Sequence, residues 1–304
     1  MPKTTVDICI ATFKRPAMLN GLFASLRLQQ RAGVEVRIIV IDNDREQSAK
    51  PCVDAFRAAG EFEVIYDVEP QQNIAMARNR ALSHVKSDYF AFLDDDESAA
   101  PQWLQSMLES LNRHQADIVF GPVVCLLPDG APAWAEQCFT RPRRATGSGM
   151  EFGGAGNVMA RSKVINRLGA RFDPAYGLTG GEDTEFFYRM FCAGHRMIWC
   201  DEALVTEPVL PSRLTLSWIR RRGFRGGQTY QRIFVSRFSG LKKAKWLATK
   251  LAQLATAVLA APLVRCFSYR SYVALTVRIA AAAGQLTSHF SGEHFEEYSV
   301  RRYQ

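Results

Sequence analysis

The run YFAFLDDDE, residues 89–97, joins a wholly apolar segment to three consecutive aspartates. Five apolar residues in a row are typical of a strand buried on both faces of a parallel sheet. Neighbouring carboxylates repel one another, and a divalent cation with oxygen ligands relieves that repulsion. In an extended chain Asp94 and Asp96 point to one side and Asp95 to the other. The cluster therefore predicts a site for Mg²⁺ or Mn²⁺, with a solvated turn that caps the next helix as the alternative.

Strand and helix patterns alternate on both sides of this run. The predicted elements are strands at 6–11, 36–41 and 63–67, helices after Pro16, at 49–59 and at 73–85, then a helix after Pro101 and a strand at 117–124. Such a βαβα order is typical of an α/β fold with a doubly wound, mostly parallel sheet, whose ligands bind at the carboxyl ends of the strands. Asp42 ends the second strand, which places it at that edge with the aspartate cluster. An Asp in this position is also a common helix N-cap.

Two later segments carry glycine beside chemically active side chains. GGEDTE, residues 180–185, precedes a helical pattern, so its carboxylates lie at a helix start, where the helix dipole favours them. Capping explains this placement, and so does a general base: Asp183 could take a proton from an attacking hydroxyl. Residues 126–157 are rich in Gly, Pro and Ser, and predict a long loop that borders the site.

The run RRRGFRGG, residues 220–227, mixes arginine with glycine. It predicts a flexible loop that brings guanidinium groups onto a diphosphate. A solvated or lipid-facing basic run is the alternative.

Charge divides the chain into two parts. The net charge is +8, but residues 1–212 hold 22 basic and 27 acidic side chains, whereas residues 213–304 hold 16 basic and 3 acidic. An acidic body with a basic tail does not indicate a general nucleic-acid binder. Residues 251–264 lack charge but are too few to span a bilayer alone. The tail predicts either a helical arm lying on anionic lipid or an Ala-rich helical subdomain.

The cellular setting follows from the cysteines and the N-terminus. Seven cysteines are scattered without a CxxC pair, which argues against a disulfide framework. The first residues, MPKTTVDICIATF, lack the apolar run of a secretory signal. We expect a cytoplasmic protein, peripheral on the inner face of the plasma membrane if it meets lipid.

Seven motifs in order resemble those of the family 2 glycosyltransferases. They are IATFKRP, IDND, QQNIAMARNRA, FLDDDE, GGAGN, GGEDTEF and RRRGFRGG, and the resemblance spans about residues 4–228. It is greatest to bacterial members that build exopolysaccharide or lipopolysaccharide, such as succinoglycan-type glucosyltransferases. The resemblance implies a GT-A domain over residues 1–228 and sugar transfer with inversion from a UDP-sugar. Residues 229–304 would form a helical extension.

The resemblance also implies a role for each matching residue. On the nucleotide side it places Thr12, Arg15, Asp42 (against the uracil ring), Asn73, Arg78, Asp94 (at the ribose or a water) and Asp95. On the reacting side it places Asp96 on the metal, Asp183 as catalytic base, Glu182 beside the acceptor, and Arg222 and Arg225 on the leaving diphosphate. The acceptor would be a glycan or a lipid-linked oligosaccharide, and an oligomer is left open.

The sequence departs from the family pattern at two points, and it leaves two alternative functions open. Many members place a His where this chain has Glu207, which leaves the last metal ligand open. The Q-x-x-R-W signature of processive synthases is absent, which favours addition of one sugar per encounter. A metal-dependent nucleotidyltransferase is an alternative, although TFKRP lacks the glycine such enzymes need after the first strand. The other alternative is a non-catalytic nucleotide- or membrane-binding protein on a degenerate transferase fold.

Overall fold

The computed structural model describes residues 3–168 and 170–298. Its strands are β1 (Thr4–Thr12), β2 (Val34–Asp42), β3 (Glu63–Val68), β4 (Tyr89–Asp94), β5 (Ser98–Ala99), β6 (Ile118–Phe120), β7 (Val123–Leu126), β8 (Asn157–Arg161), β9 (Met197–Trp199) and β10 (Val205–Pro208). The central sheet has the order β3-β2-β1-β4-β8-β6-β9. Its strands run parallel except β8, which is antiparallel to β4 and β6. The expected mostly parallel α/β sheet is confirmed.

Helices cover both faces of this sheet. In chain order they are α1 (Pro16–Arg27), α2 (Lys50–Ala58), α3 (Ile74–His84), α4 (Trp103–Arg113), α5 (Ala135–Phe139), α6 (Lys163–Leu168) and α7 (Glu182–Cys192). Alternate residues of β1 enter different cores, because successive side chains of a strand point to opposite faces. Ile8 packs with Phe23 and Trp103 on one side, whereas Cys9 packs with Phe92 and Phe186 on the other. The two cores hold the carboxyl ends of the strands in place.

The strand predicted at 117–124 is two strands. β6 ends at Phe120 in the central sheet, and β7 begins at Val123 in a smaller sheet of order β5-β10-β7. Pro122 lies between them and has no amide hydrogen for a ladder bond. The predicted loop at 126–157 also contains α5, although most of it is irregular.

Three further helices follow, and they correct the predicted loop at 220–227. These are α8 (Leu216–Tyr230), α9 (Gly240–Phe267) and α10 (Tyr269–Phe290). The RRRGFRGG run lies inside α8 because its glycines serve helix packing. A Cβ on Gly227 would overlap the carbonyl of Ala281, and one on Gly284 would overlap that of Phe224. We call this contact between α8 and α10 the glycine seam.

Helix α9 is longer than the uncharged run within it. It has 28 residues, none of them buried, and by length and composition it could cross a membrane; no other helix of residues 3–168 and 170–298 meets that test. The expectation that residues 251–264 are too short to span a bilayer alone therefore does not extend to the helix that contains them. The boundary expected after residue 228 falls within α8.

Candidate active site

A cleft of about 1640 Å³ opens at the carboxyl ends of β1 and β4. The irregular residues 140–144, 150, 152–154 and 156 border it, as predicted for the long loop. Of the residues predicted for the site, all line the cleft except Asp42: Thr12, Arg15, Asn73, Arg78, Asp94, Asp95, Asp96, Glu182, Asp183, Arg222 and Arg225.

Asp42 stands apart from the other residues predicted for the nucleotide side. Its side chain is fully buried, and its oxygens accept hydrogen bonds from the Ala49 amide (2.8 Å), the Asp44 amide (3.1 Å) and the Tyr66 hydroxyl (3.0 Å). These bonds occupy both oxygens and hold the start of α2 against β3. Asp42 therefore lies outside the residues that line the cleft, and its contact with the base stays a prediction.

Within the aspartate cluster, Asp95 and Asp96 contact two arginines and a threonine. Asp95 accepts a hydrogen bond from the Thr12 hydroxyl (2.7 Å), and its other oxygen lies 3.4 Å from Arg15. Asp96 lies 3.3 Å from Arg15 and 3.4 Å from Arg213. Burial, followed by repulsion from Asp94 and Glu207, raises the pKa of Asp96 to about 6.

These oxygen donors fit a hard divalent cation. The two arginine contacts of Asp96 are long, and its pKa is raised first by burial and then by the negative charges around it. Carboxylate oxygens are the ligands that Mg²⁺ and Mn²⁺ accept. Across residues 3–168 and 170–298 no three His, Cys, Asp or Glu side chains already form a cage. The cluster therefore suits a cation that shares its coordination with substrate oxygens and water.

Arg78 connects the aspartate cluster to α7. Its side chain is 4% exposed, and it forms ion pairs with Asp94 (3.0 Å) and Glu182. Both carboxylates, together with Asp183, raise its pKa. Arg78 therefore links two elements of the site, and its contact with the base or diphosphate stays a prediction. Asn73 is similarly engaged: it caps α3 through the Met76 amide and donates to the Pro174 carbonyl.

The GGED run sets the start of α7. Gly180 and Gly181 have φ of +77° and +92°, a region that disfavours side chains, and a Cβ on Gly181 would overlap Thr229. One oxygen of Asp183 accepts a hydrogen bond from its neighbour Thr184 (2.6 Å), and the other faces the Ala155 amide at 3.4 Å in the cleft. This second oxygen is weakly held, as expected of a group that meets a substrate.

Glu182, beside Asp183, is almost completely buried. Burial raises its pKa to about 7, and the negative charge of Asp183 adds to the effect while Arg78 opposes it. One of its oxygens is buried without a hydrogen-bond partner. Glu182 is therefore fixed inside the wall of the cleft, and Asp183 is the more accessible member of the pair.

Comparison with known proteins identifies the family. The model named Glycosyl transferase family 2 matches residues 7–169. The chain is 35% identical to the succinoglycan biosynthesis protein ExoM of Rhizobium meliloti, over 99% of this chain and 98% of that protein. This chain belongs to glycosyl transferase family 2. It is an enzyme that transfers sugar, which sets aside the nucleotidyltransferase alternative.

Solved structures show the same GT-A fold as this glycosyltransferase. The mannosyltransferase PcManGT of Pyrobaculum calidifontis, in complex with GDP-Man and Mn²⁺, has a TM-score of 0.67 at 17% identity, covering 96% of this chain and 89% of that one. S. aureus TarS 1–349 in complex with UDP has a TM-score of 0.54 at 12% identity, covering 98% and 97%.

The glycosyltransferase presents Arg222 and Arg225 to the cleft from α8. Arg222 stacks 5.3 Å from the Trp218 ring centre, and its pKa is lowered by burial and by the positive charges of Arg141 and Arg225. Arg225 forms an ion pair of 2.6 Å with Glu297. A helix rather than a loop therefore carries the predicted guanidinium groups.

Two arginines that line the glycosyltransferase cleft are not among the residues predicted from the sequence. Arg141 and Arg213 lie 2.6 Å from opposite oxygens of Glu207, and both line the cleft. The signal for Arg141 was the basic RPRR run inside the predicted bordering loop. Arg213 follows β10 and had no such signal. Glu207, noted where relatives have a His, is thus held in a two-arginine clamp that lowers its pKa against the effect of burial.

Proposed function

We propose that this enzyme moves one sugar, with inversion, from a UDP-sugar to a hydroxyl of a lipid-linked oligosaccharide in cell-surface polysaccharide synthesis. The observation that carries the proposal is the weakly held oxygen of Asp183, which faces the cleft that the aspartate cluster also lines. The similarity to a succinoglycan biosynthesis protein over the full chain supports polysaccharide synthesis, and the UDP complex of TarS supports the uridine carrier.

Inversion requires a single displacement, and the cleft supplies the groups for it. Asp183 takes the proton of the acceptor hydroxyl while that oxygen attacks the anomeric carbon from the face opposite the leaving group. The bond from that carbon to the diphosphate breaks, and UDP leaves with the electron pair. Arg222 and Arg225 stabilise the negative charge that develops on the diphosphate. Glu182 lies next to the base and forms the wall against which the acceptor binds.

A divalent cation held at the aspartate cluster would balance charge at the leaving group. Asp96 is the residue that would hold Mn²⁺ or Mg²⁺. Asp94 and Glu207 are the carboxylates whose negative charges contribute most to its raised pKa after burial. The bound cation would neutralise the diphosphate as the glycosidic bond breaks. Thr12, Arg15, Asn73 and Asp95 would border the nucleotide.

The basic tail supports a membrane-bound acceptor. Residues 208–292 contain no Asp or Glu, and Leu259, Leu263 and Phe267 on α9 are 80%, 63% and 84% exposed. Exposed apolar residues on a cationic element are typical of helices that lie on anionic lipid. We infer peripheral attachment to the inner face of the plasma membrane, where a lipid-linked acceptor meets the cleft.

Calorimetry tests the donor and the cation together. UDP is titrated into the wild type and into Asp96→Asn, each with and without Mn²⁺. Binding that depends on Mn²⁺ and is lost in Asp96→Asn supports the proposal. Absence of UDP binding in every titration would contradict the UDP donor, and the same titrations with GDP and dTDP would then identify the carrier.

Substitution of the base separates transfer from binding. Asp183→Asn is expected to lower sugar transfer by at least ~10²-fold, since a positioned general base contributes about 10²–10⁴-fold, while UDP affinity stays unchanged. Asp129→Asn, at an exposed loop position, is the matched control and should transfer normally. A wild type that binds UDP but transfers no sugar would favour the non-catalytic alternative.

A further inference from the structure

The segment 293–298 returns from the end of α10 to the active site. We call it the C-terminal strap. The Phe295 amide donates to the side chain of Gln228 (2.9 Å), and that side chain donates to the Glu293 carbonyl (2.9 Å). The Tyr298 amide then donates to the Leu178 carbonyl (3.1 Å), just before the Gly180 turn. The strap is therefore fastened at both ends by directional bonds.

The far end of the strap lies in the cleft. Phe295, Glu297 and Tyr298 all contribute to the cleft lining. The Glu297 carboxylate pairs with Arg225 at 2.6 Å, and the Arg225 guanidinium lies 5.9 Å from the Tyr298 ring centre. Gly180 leaves the space for this arrangement, since a Cβ there would approach both Arg225 and Tyr298.

Arg225 and Arg222 differ in what neutralises them. Both line the cleft from α8, but none of the ion pairs formed within residues 3–168 and 170–298 includes Arg222, whereas Arg225 has the carboxylate of Glu297. A diphosphate that approaches both arginines therefore meets a free cation on one and a carboxylate on the other. The diphosphate and the Glu297 carboxylate are both negative, and like charges that share a partly buried site repel strongly.

We propose that the C-terminal strap is an autoinhibitory contact in which Glu297 occupies Arg225 until the diphosphate of the donor displaces it. This inference rests on the proposed function in assigning Arg225 to the diphosphate. Donor binding and strap release are then linked equilibria, so the closed strap lowers the apparent donor affinity by the fraction of molecules in which it is closed. Displacement would also open the acceptor side next to Glu182, because Tyr298 lies against the same turn.

The test uses inorganic diphosphate with Mg²⁺, which carries no base or sugar. It is titrated into the full-length wild type, into Glu297→Gln, and into Glu296→Gln, which removes the same charge from the exposed neighbour. Glu297→Gln is expected to bind diphosphate about fivefold more tightly, because the competing carboxylate is gone. Glu296→Gln should match the wild type. Hydrogen exchange at the Tyr298 amide should rise when diphosphate is added to the wild type.

The outcomes test the autoinhibitory role of the strap separately from the proposal that UDP-sugar is the donor. Equal or weaker diphosphate binding by Glu297→Gln, or no binding by any of the three proteins, overturns the strap as a competitor. The same tightening in Glu296→Gln overturns it too, since the effect would then be one of overall charge. Diphosphate binding with the expected pattern but no UDP binding supports the strap and contradicts the UDP donor. UDP binding of equal strength in all three proteins supports the donor and overturns the strap.

Discussion

Arg78 is the residue on which the geometry of the reacting side depends. It is buried between Asp94 at the end of β4 and Glu182 at the start of α7. Arg78→Met would leave two carboxylates without their cation, and breaking a buried ion pair costs about 3–5 kcal/mol of stability. Arg80 lies on the same helix, its side chain is 37% exposed, and it pairs with Asp67. Arg80→Met should therefore cost about 1 kcal/mol of stability or less. Urea unfolding measures both, and equal losses would contradict the role of Arg78.

Glu182 predicts a pH dependence of folding. Its pKa rises from 4.5 to about 7 on folding, chiefly because of burial. A carboxyl group with a raised pKa contributes stability below its unfolded pKa, and that contribution is lost as pH rises through the folded pKa. The free energy of unfolding should therefore fall by about 1–3 kcal/mol between pH 5 and 8. Glu182→Gln should flatten this part of the curve; an unchanged slope in the variant would assign it to other groups.

Individual residues also show how far the sequence could specify the site. Asp183 and the aspartate cluster could be located because each follows a strand or opens a helix, and strand ends meet at one edge of a parallel sheet. Arg213 could not, because its contact with Glu207 depends on a turn with no distinctive pattern. Asp42 satisfied the same strand-end rule as Asp94, yet its local hydrogen bonds turn it inward. Local rules place a residue at an edge but do not decide which way its side chain faces.

At the scale of elements, the glycine seam explains why α8 is a helix. Three glycines within the eight residues 220–227 predict a loop, since glycine weakens an isolated helix. The structure places Gly223 and Gly227 against the backbone of α10, where any side chain would collide. The cost in helix propensity is offset by a close contact between helices, which depends on a partner about 55 residues away in the sequence. No local pattern contains that information.

The seam yields a prediction with an adjacent control. Gly227→Ala should lower the free energy of unfolding by about 2 kcal/mol or more, since its Cβ would overlap the Ala281 backbone and force α8 and α10 apart. Gly226→Ala should be neutral or stabilising by up to about 1 kcal/mol, because nothing lies within 4 Å of its Cβ. Thermal unfolding of both variants measures the difference. Similar melting temperatures would show that the seam tolerates a methyl group.

For the whole molecule, topology and charge were more predictable than contacts. Most of the strands and helices in residues 4–113 could be predicted from hydrophobic periodicity, because β2 and β4 contain runs of apolar residues; the two-residue β5 could not. The antiparallel β8 could not be predicted, since its direction depends on the irregular segment that precedes it. The division into an acidic body and a basic tail was visible in the composition, and it corresponds to the helices that follow the sheet.

That division leads to a prediction about where the whole enzyme works. Leu259, Leu263 and Phe267 are spaced four residues apart on the exposed side of α9, so they form one apolar face on an element with no acidic residue. A leucine buried in lipid contributes about 1.5–3 kcal/mol, so Leu259→Glu should weaken binding to phosphatidylglycerol vesicles about tenfold or more. Leu28→Glu changes a leucine that is 66% exposed on the sheet domain, and it should bind vesicles like the wild type. Co-sedimentation measures all three proteins. Equal losses of binding in the two variants would trace the effect to net charge rather than to α9. Wild-type binding to vesicles of pure phosphatidylcholine would show that the apolar face acts without the basic residues around it.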